Sequence, residues 1–150
     1  MSHRPEILAI GEALIEMVRL PEDSGGRPTF VQSFGGDTST VMIAAARQGG
    51  RTGYLTAISD DMFGQAFQRL WAEEGVDVSF CPVRKGDPTG VVFIDPDPSG
   101  RKFSYARRGS AASLYGPEDL PEDVIRAAKV LHVSGITLAI SDTMRAAALK

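Results

Sequence analysis

The 150-residue sequence contains a single cysteine, Cys81, so no disulfide can form within the chain and the fold must rest on its packed core. Histidine is nearly as scarce: His3 and His132 stand far apart and accompany no metal-ligand spacing. Charge is not in large excess of either sign. The formal net charge is −3, which gives no long-range attraction to nucleic acid or anionic lipid. No apolar run approaches the roughly 20 residues of a membrane span, and Met1-Ser2-His3-Arg4-Pro5-Glu6 lacks the apolar core of a secretory signal. Several catalytic signatures are absent as well. Gly11 is followed by Glu12-Ala13-Leu14, which rules out a G-x-G-x-x-G turn after the first strand, and neither G-x-x-x-x-G-K-[ST] nor G-x-S-x-G occurs. These absences leave a cytoplasmic α/β domain as the expectation, with Cys81 read as a small core or strand-edge residue, not a reactive thiol.

What is present is a regular alternation of strand and helix signals. Ile7-Leu8-Ala9-Ile10 is a short apolar run ending at Gly11, the mark of a buried strand, and Leu14 to Val18 extends or restarts it. Pro21 to Pro28 reads as a turn, and Phe30 to Phe34 as a half-exposed strand. A helix follows Gly35-Gly36, with Asp37, Thr38 or Ser39 as N-cap, Val41, Ala44, Ala45 and Gln48 on one face, and Gly49-Gly50 as its stop. Thr52 to Ile58 predicts a second buried strand. Phe63, Phe67, Leu70 and Trp71 then form the apolar stripe of a helix from Met62 to Glu74. Thr89 to Asp95 and Arg101 to Arg107 predict a hairpin joined at Pro96 to Gly100. A helix from Pro121, a buried strand at Val130 to Ser134 and a last helix capped by Ser141 complete the chain. His132 on that strand is expected to be a satisfied core histidine, and His3 a mobile terminal residue.

This alternation predicts a mainly parallel sheet with flanking helices, and the hairpin and Phe30 to Phe34 as a small accessory sheet. The helical pattern is still running at Lys150, straight after the Val130 strand, and a longer fold is expected from that.

Three features offer chemistry. Gly35-Gly36-Asp37-Thr38-Ser39-Thr40 opens a helix with paired glycines, which lets a ligand approach backbone N–H groups, although a double glycine is also a plain turn. Tyr105 and Arg107 are two apart on a strand, so they project together. A phenol beside a guanidinium suits an anionic, hydroxylated ligand, or else forms a solvated stacked pair. Glu16 can accept hydrogen bonds from vicinal hydroxyls of a sugar, or simply be exposed.

Taken in order, these pieces resemble the ribokinase-like (PfkB-type) sugar kinases along essentially the whole chain. Ile10-Gly11-Glu12-Ala13-Leu14-Ile15-Glu16 is similar to the family's first strand and sugar-facing turn. Gly35-Gly36 through Gly49, followed by Thr52 to Gly64, resembles its N-terminal signature, and Asp87-Pro88-Thr89-Gly90-Val91-Val92 its lid strand. Phe103 to Ala112 and Leu131 to Thr137 look like the branch that phosphorylates 2-keto-3-deoxygluconate.

The resemblance implies the N-terminal, sugar-binding part of a ribokinase-like domain, with lid segments near residues 12–18, 29–35 and 88–108. It implies substrate-binding roles for Glu16, Gly35, Gly36, Thr40, Tyr105, Arg107 and Ile136, with Arg107 as partner of an acid-sugar carboxylate. It implies ATP and Mg²⁺ as cofactors and a homodimer through the lid. The family's catalytic aspartate, in a Gly-Ala-Gly-Asp motif, belongs to the C-terminal half and is expected beyond Lys150, with most of the nucleotide site. These residues alone are therefore expected to be inactive. Two departures stand out: Thr40 replaces the signature's usual asparagine, and Val92 stands where some of these kinases carry a substrate-contacting tyrosine. A kinase for neutral sugars, of fructokinase or ribokinase type, and a non-catalytic sugar-binding module are the alternatives. Arg107 would lack an anionic partner in the neutral-sugar kinase.

Overall fold

A computed structural model describes residues 4–150; His3 lies outside them. The first strand, β1 (Ile7–Ile10), is the middle of a three-stranded parallel sheet, flanked by β4 (Thr52–Leu55) and β9 (Val130–Val133). A strand covered on both faces must be apolar at every position, and Leu8, Ala9 and Ile10 are fully buried. Alternation along the strands divides the core in two. Ala9 and Tyr54 pack with Met42, Phe67 and Trp71 beneath α1 (Asp37–Arg47) and α2 (Met62–Glu73). Leu8, Ile10 and Leu55 pack on the opposite side with Tyr115, Met144 and Ala147, the last two from α5 (Asp142–Leu149).

A second sheet of four strands has the order β3 (Thr29–Gly35), β2 (Leu14–Leu20), β7 (Gly90–Asp97), β8 (Gly100–Ala106). β3 and β8 pair antiparallel with their neighbours, and β2 runs parallel to β7. This is the accessory sheet that the sequence pattern predicts, with the strands of the hairpin running closer together than expected: Asp97 pairs with Gly100, leaving Pro98-Ser99 as the loop. The strand predicted from Thr52 to Ile58 is split, β4 ending at Leu55 and a two-residue β5 (Ile58–Ser59) pairing instead with β6 (Val83–Arg84). Two 3-10 turns, Ala112–Leu114 and Pro117–Asp119, precede α3 (Glu122–Ala127), and α4 (Thr137–Ile140) is a short helical turn that the sequence pattern did not suggest.

Three expectations are corrected. The buried face of α1 is Thr38, Ser39 and Met42, while Val41 is exposed, and Gly36 occupies the N-cap position without a side-chain cap. Polar residues can face the core here because each has a partner: Thr38 Oγ1 lies 2.9 Å from the Tyr54 hydroxyl, and the Trp71 indole donates to Ser39 Oγ at 2.9 Å. Next, among the described residues β9 is an edge strand, not a buried one. Val130 and Leu131 are 52% and 42% exposed, since among the described residues only β1 pairs with it. Finally, His132 is half-buried on that edge and so is not a core histidine. Cys81 does fit its reading: its thiol donates to the Tyr54 carbonyl at 2.8 Å, and burial pushes it up to about 12.

The helix α2 is tied to the second sheet through its cap. Asp61 Oδ1 accepts from the Gly64 N–H at 2.7 Å and from the Thr89 hydroxyl at 2.8 Å, while Oδ2 accepts from the Thr89 N–H at 2.8 Å. Burial pushes this carboxyl upward, but the hydrogen bonds from Gly64, Thr89 and Ser59 outweigh it and hold it below the usual aspartate range. A lowered carboxylate contributes stability above its unfolded-state value and loses it as pH falls through the folded one. Asp61→Ala should therefore cost about 2 kcal/mol in urea denaturation at neutral pH, the size of a lost N-cap with an added partner. The difference between wild type and Asp61→Asn should be full at neutral pH and shrink below about pH 4. A pH-independent difference would show that Asp61 acts by shape alone.

Candidate functional site

The turn between β1 and β2, the start of α1 and the inner face of the second sheet enclose a cleft of about 170 Å³. Register explains which side chains reach it. Glu16 on β2 pairs with Val92 on β7, and Val92 pairs with Tyr105 on β8, so these three share one face. One step along, Leu14 pairs with Gly90, and Arg107 continues the β8 row just past the end of the strand. Glu16, Gly36, Tyr105, Arg107 and Ile136, all expected at a substrate site, line this cleft together, with Glu12, Asp37 and Phe103.

The paired glycines divide the work. Gly36 lies at φ 106°, and a Cβ there would come within 2.4 Å of the Glu12 carbonyl oxygen, so only glycine lets the helix start pass so close to the β1–β2 turn. Gly35 is buried, pairs with Leu14 and borders the Glu16 carboxylate, outside the cleft lining. Thr40 also stands outside the lining; its exposed hydroxyl donates to the Gly36 carbonyl at 2.9 Å, within its own helix.

Arg107 is more constrained than the sequence suggests. Its guanidinium carbon lies 4.5 Å from the centroid of the Tyr105 ring, and Nη1 donates to Glu12 Oε2 at 3.0 Å. Glu12 is buried, and its other oxygen accepts from the Ser110 hydroxyl at 3.3 Å. Burial pushes the Glu12 carboxyl above its ordinary range, with Arg107 and Ser110 pulling it partly back. Sequence reasoning missed Glu12, Asp37 as a cleft residue, and Phe103. A signal for Glu12 existed: Glu12, Leu14 and Glu16 are spaced by two, which puts them on one side of an extended chain.

Tyr105 and Arg107 also border a second cavity of about 580 Å³, whose lining includes Arg108, Ser141, Asp142 and Arg145. The two cavities thus meet at the Tyr105–Arg107 wall, one rich in carboxylates and the other in guanidinium groups. Among the described residues no group of three or more His, Cys, Asp or Glu is disposed to hold a metal ion.

Such an arrangement, with carboxylates and an arginine around a small polar cleft at the end of a parallel sheet, suits a polyhydroxylated ligand. Comparison with known proteins agrees with it. Residues 4–150 match the model of the pfkB family carbohydrate kinase. The chain is 34% identical over 148 residues to a 2-dehydro-3-deoxygluconokinase of Thermoproteus tenax, covering 96% of this chain and 46% of that protein. It is 36% identical over 149 residues to a probable fructokinase-4 of Arabidopsis thaliana, covering 96% and 45%. A crystal structure of a fructokinase from Xylella fastidiosa with bound ATP superposes with a TM-score of 0.79 at 28% identity, covering 86% of this chain and 42% of that one. The chain spans about half the length of the curated relatives it matches. With the ribokinase-like sheet, the glycine-led helix and the cleft all in place, the chain belongs to the pfkB family of carbohydrate kinases.

Proposed function

We propose that these residues form the acceptor side of an ATP-dependent sugar kinase of the cytoplasm, and that its acceptor is an acid sugar, 2-keto-3-deoxygluconate. In this reading the sugar's primary hydroxyl oxygen bonds to the γ-phosphorus of ATP, the bond to the β–γ bridging oxygen breaks, and ADP leaves. The hydroxyl proton goes to a base outside these 150 residues, which hold no Gly-Ala-Gly-Asp. The protein's own part here is to bind and orient the acceptor, which supplies the positioning share of phosphoryl-transfer catalysis. Mg²⁺ is expected to accompany the ATP phosphates, where one or two carboxylates and the phosphate oxygens hold it, mostly outside these residues.

Arg107 carries the choice of substrate. It faces the cleft from a strand end, stacked on Tyr105, with Arg108 and Arg145 in the adjoining cavity. A carboxylate can be gripped there by a planar guanidinium. One observation favours a neutral ketose instead. Glu12 already provides Arg107 with an anionic partner, which removes the objection that Arg107 would be unpaired in a neutral-sugar kinase, and Glu16 and Asp37 add further negative charge to the lining.

The second sheet is proposed to act as a lid and to pair between two copies. Phe30 and Phe93 lie edge to face at 6.0 Å, each 41% exposed, and give that sheet an apolar outer face. Phe34 and Val91, on the same face, pack instead on Phe67 and on the main core.

In the full-length enzyme, Arg107→Ala should lower kcat/KM for 2-keto-3-deoxygluconate roughly 10–150-fold, the equivalent of one charge-assisted hydrogen bond at about 1.4 kcal/mol per decade. Most of that loss should appear in KM, because a carboxylate contact is made in ground and transition states alike. Arg107→Lys should recover part of it. Because Arg107→Ala also strands the Glu12 carboxylate, the decisive quantity is the acid-to-neutral sugar ratio, measured against fructose. An unmoved ratio would favour the neutral-sugar kinase.

Light scattering of the same enzyme at micromolar concentration should give the mass of a dimer, and Phe93→Asp should shift it towards the monomer. A wild type that is monomeric throughout would count against pairing through this sheet.

A further inference from the structure

Glu12, the ion-pair partner of Arg107, is the most completely buried carboxylate in the cleft, with its side chain 2% exposed. Charge is not placed there by default, since an unpaired buried carboxylate costs several kcal/mol. Its surroundings come from three parts of the chain: its own turn, the 107–110 segment and the start of β7. It sits in the turn after β1. The Ser110 hydroxyl donates to one oxygen, and Arg107 Nη1 to the other. Gly90, at the start of β7, leaves the space it occupies: a Cβ there would come within 2.9 Å of Glu12 Oε1. Gly90 also borders Arg107, whose Cβ lies 3.2 Å from the same point, so the pair is packed into one slot between the two inner strands and the end of β8.

The contact geometry divides the guanidinium. One terminal nitrogen is bound to Glu12, and the ring of Tyr105 lies against the guanidinium group. These two contacts restrain the group's rotation, and the rest of the guanidinium borders both cavities. Its charge is tempered at the same time, because a carboxylate already stands at hydrogen-bonding distance from it. A carboxylate so placed can act on a ligand in two opposed ways, by aiming Arg107 and by repelling an incoming anion.

We propose that Glu12 is a positioning residue that holds Arg107 by one edge and, through its charge, sets the cleft's preference between acid and neutral sugars. This rests on the sugar-kinase reading for its substrates, but not for the holding of Arg107. Glu12→Gln is the informative change, since an amide keeps the shape and one acceptor oxygen while removing the charge. In the full-length enzyme Glu12→Gln should raise the acid-to-neutral ratio of kcat/KM, with 2-keto-3-deoxygluconate and fructose as the pair, by roughly tenfold through KM, because like-charge repulsion is relieved. The two kcat values should change little. In an Arg107→Ala background the same substitution should move the ratio far less, the non-additivity expected of groups in contact. Side-chain ¹⁵N spectra, with Arg107→Lys to assign the signal, should show slowed guanidinium rotation in wild type and faster rotation in Glu12→Ala.

A residue that merely fills space would lower the melting temperature and shift both sugars together. A ratio unchanged in Glu12→Gln overturns the specificity role, and rotation unchanged in Glu12→Ala overturns the positioning role. Should the wild type phosphorylate neither sugar, the kinase reading and with it the specificity role fail, and the spectra still decide whether Glu12 holds Arg107.

Discussion

Three residues, Gly11, Glu12 and Ala13, carry the chain from the main sheet into the second one, and the site depends on how tightly they are held. The turn is clamped from both sides. The Gly11 N–H donates to the Leu55 carbonyl at 3.2 Å, the Thr137 hydroxyl donates to the Ile10 carbonyl at 2.9 Å, and Ala13 is buried in the core beneath α1 and α2. With so short a connection the angle between the sheets is set by packing, not by a flexible linker. The cleft is built outward from this turn. Glu12 is part of it, Glu16 lies two pleats further along β2, Gly36 passes against the Glu12 carbonyl, and Ile136 precedes the threonine that clamps it. A binding constellation mounted on strands and one fixed turn needs little reorganisation to receive a ligand.

The same economy appears in the first turn of α1. Thr38 and Ser39 are buried polar residues that lock this helix end to Tyr54 and Trp71, so Gly36 and Asp37 are held in place at the cleft wall. Tyr54 is itself wholly buried, and burial raises its hydroxyl well above the ordinary tyrosine range, which keeps it a neutral hydrogen-bonding group. Electrostatics in the cleft are thus concentrated in a few residues: Glu12, Glu16 and Asp37 on one side, Arg107 on the other. Sugar hydroxyls can both donate to carboxylates and accept from a guanidinium, and this set serves them in both capacities.

Much of this was legible from sequence because it is local. The apolar run at Ile7 to Ile10, the stripe of Phe67 and Trp71, the hairpin strands and the Ser141 cap each depend on neighbours within a few residues. Glu16, Gly36, Tyr105, Arg107 and Ile136 were named from motif order and meet in one cleft. What could not be read was pairing across long separations. The buried face of α1 is polar because its partners lie 16 and 32 residues downstream. Glu12 gains its meaning from Arg107, 95 residues away, and no periodicity reports that. The exposure of β9 is likewise decided by which strands flank it, a property of the sheet and not of Val130 to Val133 themselves.

The mixed pairing of the second sheet also bears on how the chain acquires its structure. β2 and β3 are joined by a short loop and pair antiparallel, Leu20 opposite Thr29, so their ladder closes at small entropic cost and belongs to the fast, local events of folding. β7 joins them in parallel, Leu14 opposite Gly90, only after a segment holding α1, β4 and α2 has been laid down between. β1 waits longer still for its second neighbour, Ile7 opposite Val130. Contacts of such range slow the search for the native state. Until β9 arrives one flank of β1 is open, and its apolar residues are then the part of the nascent chain most in need of shielding from other chains.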